Sequence, residues 1–205
     1  GDFHEGGRLH TAFQNLPSRH YKVRINTKID DEPICEVDFN ANHLRLLLAL
    51  HGRDAIGGVD AYAPIVEEAG VSRRKVKSFI TIALNCKTFD QAMRAANGVN
   101  NEIIADDCRR ITETFEKLYP NISLFHRDIN YGGMAQNIEG EIMMHVMLTG
   151  MKDNVMTLPI HDAIAVRQRH SDWAEGAMAA AWEYSARHWH PKAKASVKVN
   201  WPNTS

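Results

Sequence analysis

The chain has 205 residues, 44% of them hydrophobic, and 24 Lys and Arg against 25 Asp and Glu give a formal net charge of -1. That length supports one sizeable core with a small second lobe, and the balanced charge excludes a global basic field for nucleic acid. Contact with nucleic acid must therefore come from local basic clusters, and residues 19–24 and 73–77 supply two. Cys35, Cys86 and Cys108 are widely spaced in apolar or helical surroundings, which reads as reduced thiols of a cytoplasmic protein, not a disulfide framework or zinc site. No stretch has the length and apolarity of a membrane span or the form of a signal peptide. A start at Gly1 suggests a processed product or an excised segment.

In chain order, residues 1–19 are Gly-rich, polar and aperiodic, which predicts an extended arm. Residues 21–26 alternate like a strand. Asp30-Asp31-Glu32-Pro33 predicts a turn into the strand Ile34-Cys35-Glu36-Val37-Asp38-Phe39. Residues 42–50 carry Leu44, Leu46, Leu47, Leu48 and Leu50, the pattern of a largely buried helix stopped near Gly52. Gly57-Gly58 marks a loop, and 61–69 a short helix closed by Gly70. Ser72 is placed to cap a helix running to about Asn85. Further helices are predicted at 88–96, capped by Thr88, at 101–118 before Pro120, and at 135–148, a Met-rich run. Two short β-favouring runs meet at His161-Asp162, followed by a helix over 171–188 and a strand over 195–200. This order predicts an α+β fold, an antiparallel sheet with helices on one face. An insertion over residues 53–130 would form its own lobe, with a ligand cleft between the two parts.

The chemistry concentrates at the strand ends. Asp38 and Asp162 each close an apolar β run, where an ionised carboxylate needs a partner. Two such acids suit a divalent-metal site for phosphoryl transfer, with Mg²⁺ ions about 3.5–4 Å apart. A backbone carbonyl such as that of Phe39 would complete the donor set. The plain alternative is a pair of solvated loop-mouth acids. For each acid alone that alternative is the better one, and the pair together favours the metal. Spacing of four residues places Arg73, Lys77, Thr81 and Asn85 on one helix face. Cations at a helix start oppose its macrodipole, so this cluster points to an anionic ligand such as a triphosphate. An exposed, solvated face accounts for the pattern equally well. His161 reads as a metal ligand or as a histidine packed at a turn. The Met-rich run 134–151 reads as core. No phosphate-binding Walker loop, Ser-His-Asp arrangement or cysteine-nucleophile signature is present.

These segments fall in the order of a known family. Val37-Asp38-Phe39-Asn40-Ala41-Asn42-His43-Leu44-Arg45 resembles motif A of the family A nucleic-acid polymerases, the bacterial DNA polymerase I type. Arg73-Arg74-Lys75-Val76-Lys77 with the following helix resembles motif B, and Ile160-His161-Asp162 resembles motif C. Gly7-Arg8-Leu9 with Gln14-Asn15-Leu16-Pro17 resembles an upstream segment of the family, and Val197-Lys198-Val199-Asn200-Trp201 its closing palm strand. The resemblance implies a palm at residues 1–52 and 131–205 with reduced helical fingers at 53–130. It implies Mg²⁺ (or Mn²⁺) on Asp38, Phe39 and Asp162. The incoming triphosphate would lie on Arg73 and Lys77, with Lys77 the acid for the departing pyrophosphate. His43, Thr81 and Asn85 would lie against the nucleotide, and Arg8, Gln14, Asn15 and His161 against primer or template.

The departures are specific. Thr81 and Asn85 stand where the family carries an aromatic (or Met) and a tyrosine, Cys86 replaces a glycine, and Ala163 replaces a second acid that single-subunit RNA polymerases also lack. Glu139-Gly140 stands where Gln-Gly is expected. His43 occupies the place of the glutamate that senses the sugar 2′ position, and its bulk favours deoxynucleotides. The expectation is a nucleotidyltransferase adding nucleotides to a 3′ end, in template-directed DNA synthesis, with an upstream thumb, an exonuclease region or a partner subunit as further elements. Its alternatives are a catalytically degenerate polymerase-like binding module, a relative of the single-subunit RNA polymerases, and a metal-dependent phosphohydrolase built on His161-Asp162.

Overall fold

The computed structural model describes residues 7, 11–17, 22–99, 103–126 and 128–202. In chain order its elements are a 3₁₀ turn at Phe13–Asn15, β1 (Lys28–Ile29), β2 (Glu32–Phe39), α1 (Asn42–Leu50), α2 (Ala63–Ala69), α3 (Arg73–Ala83), α4 (Phe89–Val99), α5 (Ala105–Leu118), α6 (Tyr131–Lys152), β3 (Leu158–Ile160), β4 (Ala163–Arg167), α7 (Ser171–Ala186) and β5 (Val197–Asn200).

The long strand β2 organises the sheet. It pairs antiparallel with β4, from Ile34↔Arg167 to Asp38↔Ala163, and with β5, from Glu36↔Asn200 to Phe39↔Val197. β3 pairs with β4, and β1 with the start of β2. Side chains alternate across a strand. Cys35, Val37, Phe39, Ile164 and Val166 accordingly join the large core with the α1 leucines, Met178 and Trp182 of α7. Ile34, Ala163 and Ala165 join Ile29 and Ile160 in a smaller cluster, closed by Phe13 and Leu158. Glu36 and Asp38 share the parity of that second face, the one opposite the helical layer.

The large core also takes in Phe79 and Ile80 of α3, Ile111 and Phe115 of α5 and Ile65 of α2. The segment 53–130 thus shares one continuous core with the sheet and its helices.

Local chemistry explains most boundaries. Asp30 and Asp31 both have left-handed φ, +49° and +60°, the geometry of a two-residue hairpin. The turn is therefore tighter than the composition suggests, and Glu32 and Pro33 already belong to β2. Gly70, at φ +61°, ends α2 as expected, and Thr88 Oγ1 accepts the Gln91 N–H at 3.3 Å at the start of α4. α6 begins four residues earlier than its apolar pattern predicts. Asn130 caps it by accepting the Gly133 N–H at 3.1 Å, and Gly132 sits where a Cβ would fall 1.8 Å from Asn85 Oδ1. Gly132, which weakens a helix in isolation, is here the condition for its close packing against Asn85.

The predicted strand at 21–26 is not formed. Residues 23–26 are turns, and Tyr21 lies outside the described residues. The alternation there reflects an inward Arg24, whose Nε and Nη2 donate to Glu36 at 2.7 and 3.0 Å while its Nη1 donates to the Gln14 carbonyl at 3.3 Å. Cys35, Cys86 and Cys108 are buried free thiols, and burial pushes Cys35 and Cys108 up to about 11. Among the described residues no helix is long and apolar enough to cross a membrane.

Candidate active site

The β2–β4 pairing brings the two strand-end acids together. Asp38 faces Ala163 in register, and Asp162 precedes Ala163 in the connecting turn. The Phe39 N–H donates to the Asp162 carbonyl at 3.4 Å, which ties the turn to β2. His161 holds the left-handed position of this turn, at φ +52°, and is exposed. A two-residue connection places Asp162 beside Asp38 with the least freedom.

Both acids line a cavity of about 210 Å³ together with Phe39, Ala41, Asn42, His43, Tyr62, Lys77, Thr81 and Glu139. Burial raises the Asp162 carboxyl to about 6, with the negative charges of Asp38 and Glu139 adding to the effect and the Asp162 backbone N–H and His43 opposing it. Asp38 is also raised, chiefly by burial, against the opposing pull of Lys198 and Lys77. Lys198, on β5 directly across from Asp38, places its Nζ 3.2 Å from Asp38 Oδ2.

A polar network shapes the rest of the cavity. Glu139 of α6, 1% exposed, receives Asn42 Nδ2 at 3.3 Å and lies 3.0 Å from His43 Nε2. Asn42 Oδ1 in turn accepts the Trp182 indole N–H at 3.0 Å. The Tyr131 hydroxyl donates to the His43 carbonyl. The left-handed Ala41, at φ +56°, turns the chain from β2 into α1 and so delivers Asn42 and His43 to the site.

The sequence-predicted residues divide into two groups. Asp38, Phe39, His43, Lys77, Thr81 and Asp162 meet around one cavity. Thr81 donates to its own Lys77 carbonyl at 2.8 Å. Arg73 does not line that cavity. It is clamped at two points by Asp60, Nε to Oδ2 at 2.7 Å and Nη2 to Oδ1 at 3.1 Å, with its guanidinium 5.6 Å from the centre of the Tyr62 ring. Asn85 also lies outside it, donating to the Thr81 carbonyl at 2.9 Å and packing against Gly132. Gln14 is buried rather than presented at the surface, Asn15 is exposed in the 3₁₀ turn, and Arg8 lies outside the described residues. Sequence reasoning missed Tyr62, Asn42 and Lys198. The first two had no chemical signal, and Lys198 needed the β2–β5 register.

As a donor set, the two half-buried carboxylates of Asp38 and Asp162 offer only oxygen, which suits a hard cation such as Mg²⁺ that keeps waters and substrate phosphates. Among the described residues no group of three or more His, Cys, Asp or Glu side chains is arranged to hold a metal by itself. Asp38, Asp162 and Glu139 bring three carboxylates to one cavity, against the cations Lys77 and Lys198, and on the ground of their oxygen donors the residues fit a divalent ion.

No protein-family model and no curated protein matches the chain. Among solved structures the chain is similar to the POL domain of Pol1 from M. smegmatis, in complex with DNA primer-template and dNTP. The TM-score is 0.59 at 12% identity, over 91% of this chain and 43% of that one. The chain thus spans less than half the length of that neighbour, and the likeness is one of fold. The chain is an α+β domain that shares its fold with part of that neighbour.

Proposed function

We propose that the chain is a nucleotidyltransferase of the family A polymerase kind, adding nucleotides to a nucleic-acid 3′ end in template-directed DNA synthesis. One observation carries the reading: two acids distant in sequence, Asp38 and Asp162, meet at the end of a β2–β4 pairing on a cavity that also holds a helix cation, Lys77. In this reading residues 1–52 and 131–205 are the palm and 53–130 the reduced fingers, with DNA and a nucleoside triphosphate as partners.

Asp38, Asp162 and the Phe39 carbonyl would hold Mg²⁺ or Mn²⁺. Bound there, a pair of such ions supplies polarisation of the 3′-hydroxyl and neutralisation of the pyrophosphate leaving group. The chain's own residues do the rest. Lys77 faces the cavity from α3 and binds the triphosphate, donating its proton to the departing pyrophosphate. His43, oriented by Glu139, and Thr81 wall the nucleotide. His161, exposed on the turn beside Asp162, contacts the primer end.

Primer extension on a templated DNA hairpin tests this, with Mg²⁺ or Mn²⁺ and with deoxy- and ribonucleotides offered separately. Asp38→Ala and Asp162→Ala each abolish incorporation; undiminished activity in either would sink the assignment. The Lys198–Asp38 ion pair favours a second reading, a polymerase-like module that binds nucleic acid without incorporation. Incorporation by the wild-type chain removes that second reading.

A further inference from the structure

We infer that Lys198 is a built-in counter-ion of Asp38 that competes with a divalent cation for that carboxylate and so tunes the metal affinity of the site. The inference rests on the proposed metal role of Asp38 and Asp162, and it assigns a role to a residue outside that donor set.

The placement is topological. β5 pairs with β2 so that Lys198 is the direct cross-strand neighbour of Asp38, while Ala163 occupies the other side. On the β4 side there is only a methyl group, so Asp38 has no competing partner there. On the β5 side an ammonium sits 3.2 Å from Oδ2. Directly opposed charges of opposite sign on one sheet face stabilise each other.

The charge balance gives the pair its consequence. Three carboxylates, Asp38, Asp162 and Glu139, line the cavity, and so do Lys77 and His43. Lys198 reaches this set from outside the lining. Its side chain is 51% exposed against 27% for Asp38, so the ammonium can move into water while the carboxylate stays in place. Mg²⁺ demands near-octahedral oxygen geometry at short range. The ammonium 3.2 Å from Oδ2 occupies one of the carboxylate's acceptor sites and its positive charge repels an incoming cation, so metal binding at Asp38 is opposed by the ion pair. The lysine thus stabilises the metal-free Asp38 carboxylate and weakens metal binding by the same interaction.

The test is Mn²⁺ binding to the whole chain without primer or nucleotide, read as free Mn²⁺ by electron paramagnetic resonance. Lys198→Gln binds Mn²⁺ about two- to fivefold more tightly than wild type, the range of a part-exposed ion pair. Lys198→Arg keeps the charge and stays near wild type, and Asp162→Asn loses binding. Circular dichroism establishes that each variant is folded. Unchanged or weaker binding by Lys198→Gln, with Asp162→Asn still deficient, overturns the counter-ion role and leaves the metal site standing. Equal tightening in Lys198→Arg also overturns it, because the charge is then not the cause. Wild-type binding by both Asp38→Asn and Asp162→Asn removes the metal site and the counter-ion role together.

Discussion

His43 Nε2 lies 3.0 Å from Oε2 of Glu139, a carboxylate that is only 1% exposed and lines the same cavity as Asp38 and Asp162. A buried acid is retained only when it is hydrogen-bonded, and here Asn42 and His43 both reach Oε2 from the first turn of α1. The pair therefore joins α6 to α1 at the point where the chain leaves the Asp38 strand. Removing the acid leaves Asn42 Nδ2 without its acceptor. Glu139→Ala is expected to cost about 2–4 kcal/mol in urea denaturation, and Glu139→Gln, which keeps one acceptor oxygen, about half as much.

Arg24 and Glu36 behave similarly farther back along β2. Glu36 is 9% exposed and takes both of its contacts from one guanidinium, a bidentate fork. Arg24→Met keeps much of the packing and strands the carboxylate, with an expected loss of about 3 kcal/mol. The double change Arg24→Met with Glu36→Gln recovers part of that loss; a strictly additive double mutant would show that the two do not interact.

The Asp60–Arg73 pair gives a pH signature. The Arg73 guanidinium hydrogen-bonded to Asp60 holds its carboxyl below the usual carboxylate range. A depressed acid contributes stability above its unfolded value, about 3.9, and loses it as pH falls through the lower folded value. The stability gap between wild type and Asp60→Asn is therefore constant at neutral pH and closes as pH drops below about 4. Because both groups are partly exposed, high salt shrinks the gap throughout. Chemical denaturation of the two proteins between neutral and acidic pH checks the sign.

Gly132 predicts a packing defect. A Cβ there would lie 1.8 Å from Asn85 Oδ1 and 2.7 Å from its Cγ. Gly132→Ala is expected to destabilise by about 1–3 kcal/mol, despite alanine's better helix propensity. Adding Asn85→Ala, which clears the space, restores stability to near the Asn85→Ala level. Failure of that rescue would place the strain elsewhere.

Asp38 and Asp162 were legible because each ends an apolar β run, and an acid there is a local anomaly that a single strand reveals. The helix α1, with its leucine pattern, formed over the expected residues 42–50 for the same reason. The partner of Arg73 was not legible, because helical spacing describes one face of α3 and is blind to Asp60, which arrives from the loop before α2. Arg24 was misread as part of an alternating strand, when its inward side chain answers Glu36 across a turn. α6 was predicted too short because Gly132 and Gly133 weaken an isolated helix, and only the neighbouring Asn85 turns the missing side chain into an advantage.

The sequence by itself determined most of the helices, the strands that carry the two strand-end acids and the cation-bearing helix, since period, capping and apolar runs act over a few residues. Only the tertiary structure decided which charges meet. Asp38 faces Lys198, Asp162 shares its cavity with Glu139, and Arg73 belongs to Asp60. Those pairings depend on strand register and on loop closure over long stretches of chain, and no local pattern of side chains encodes either.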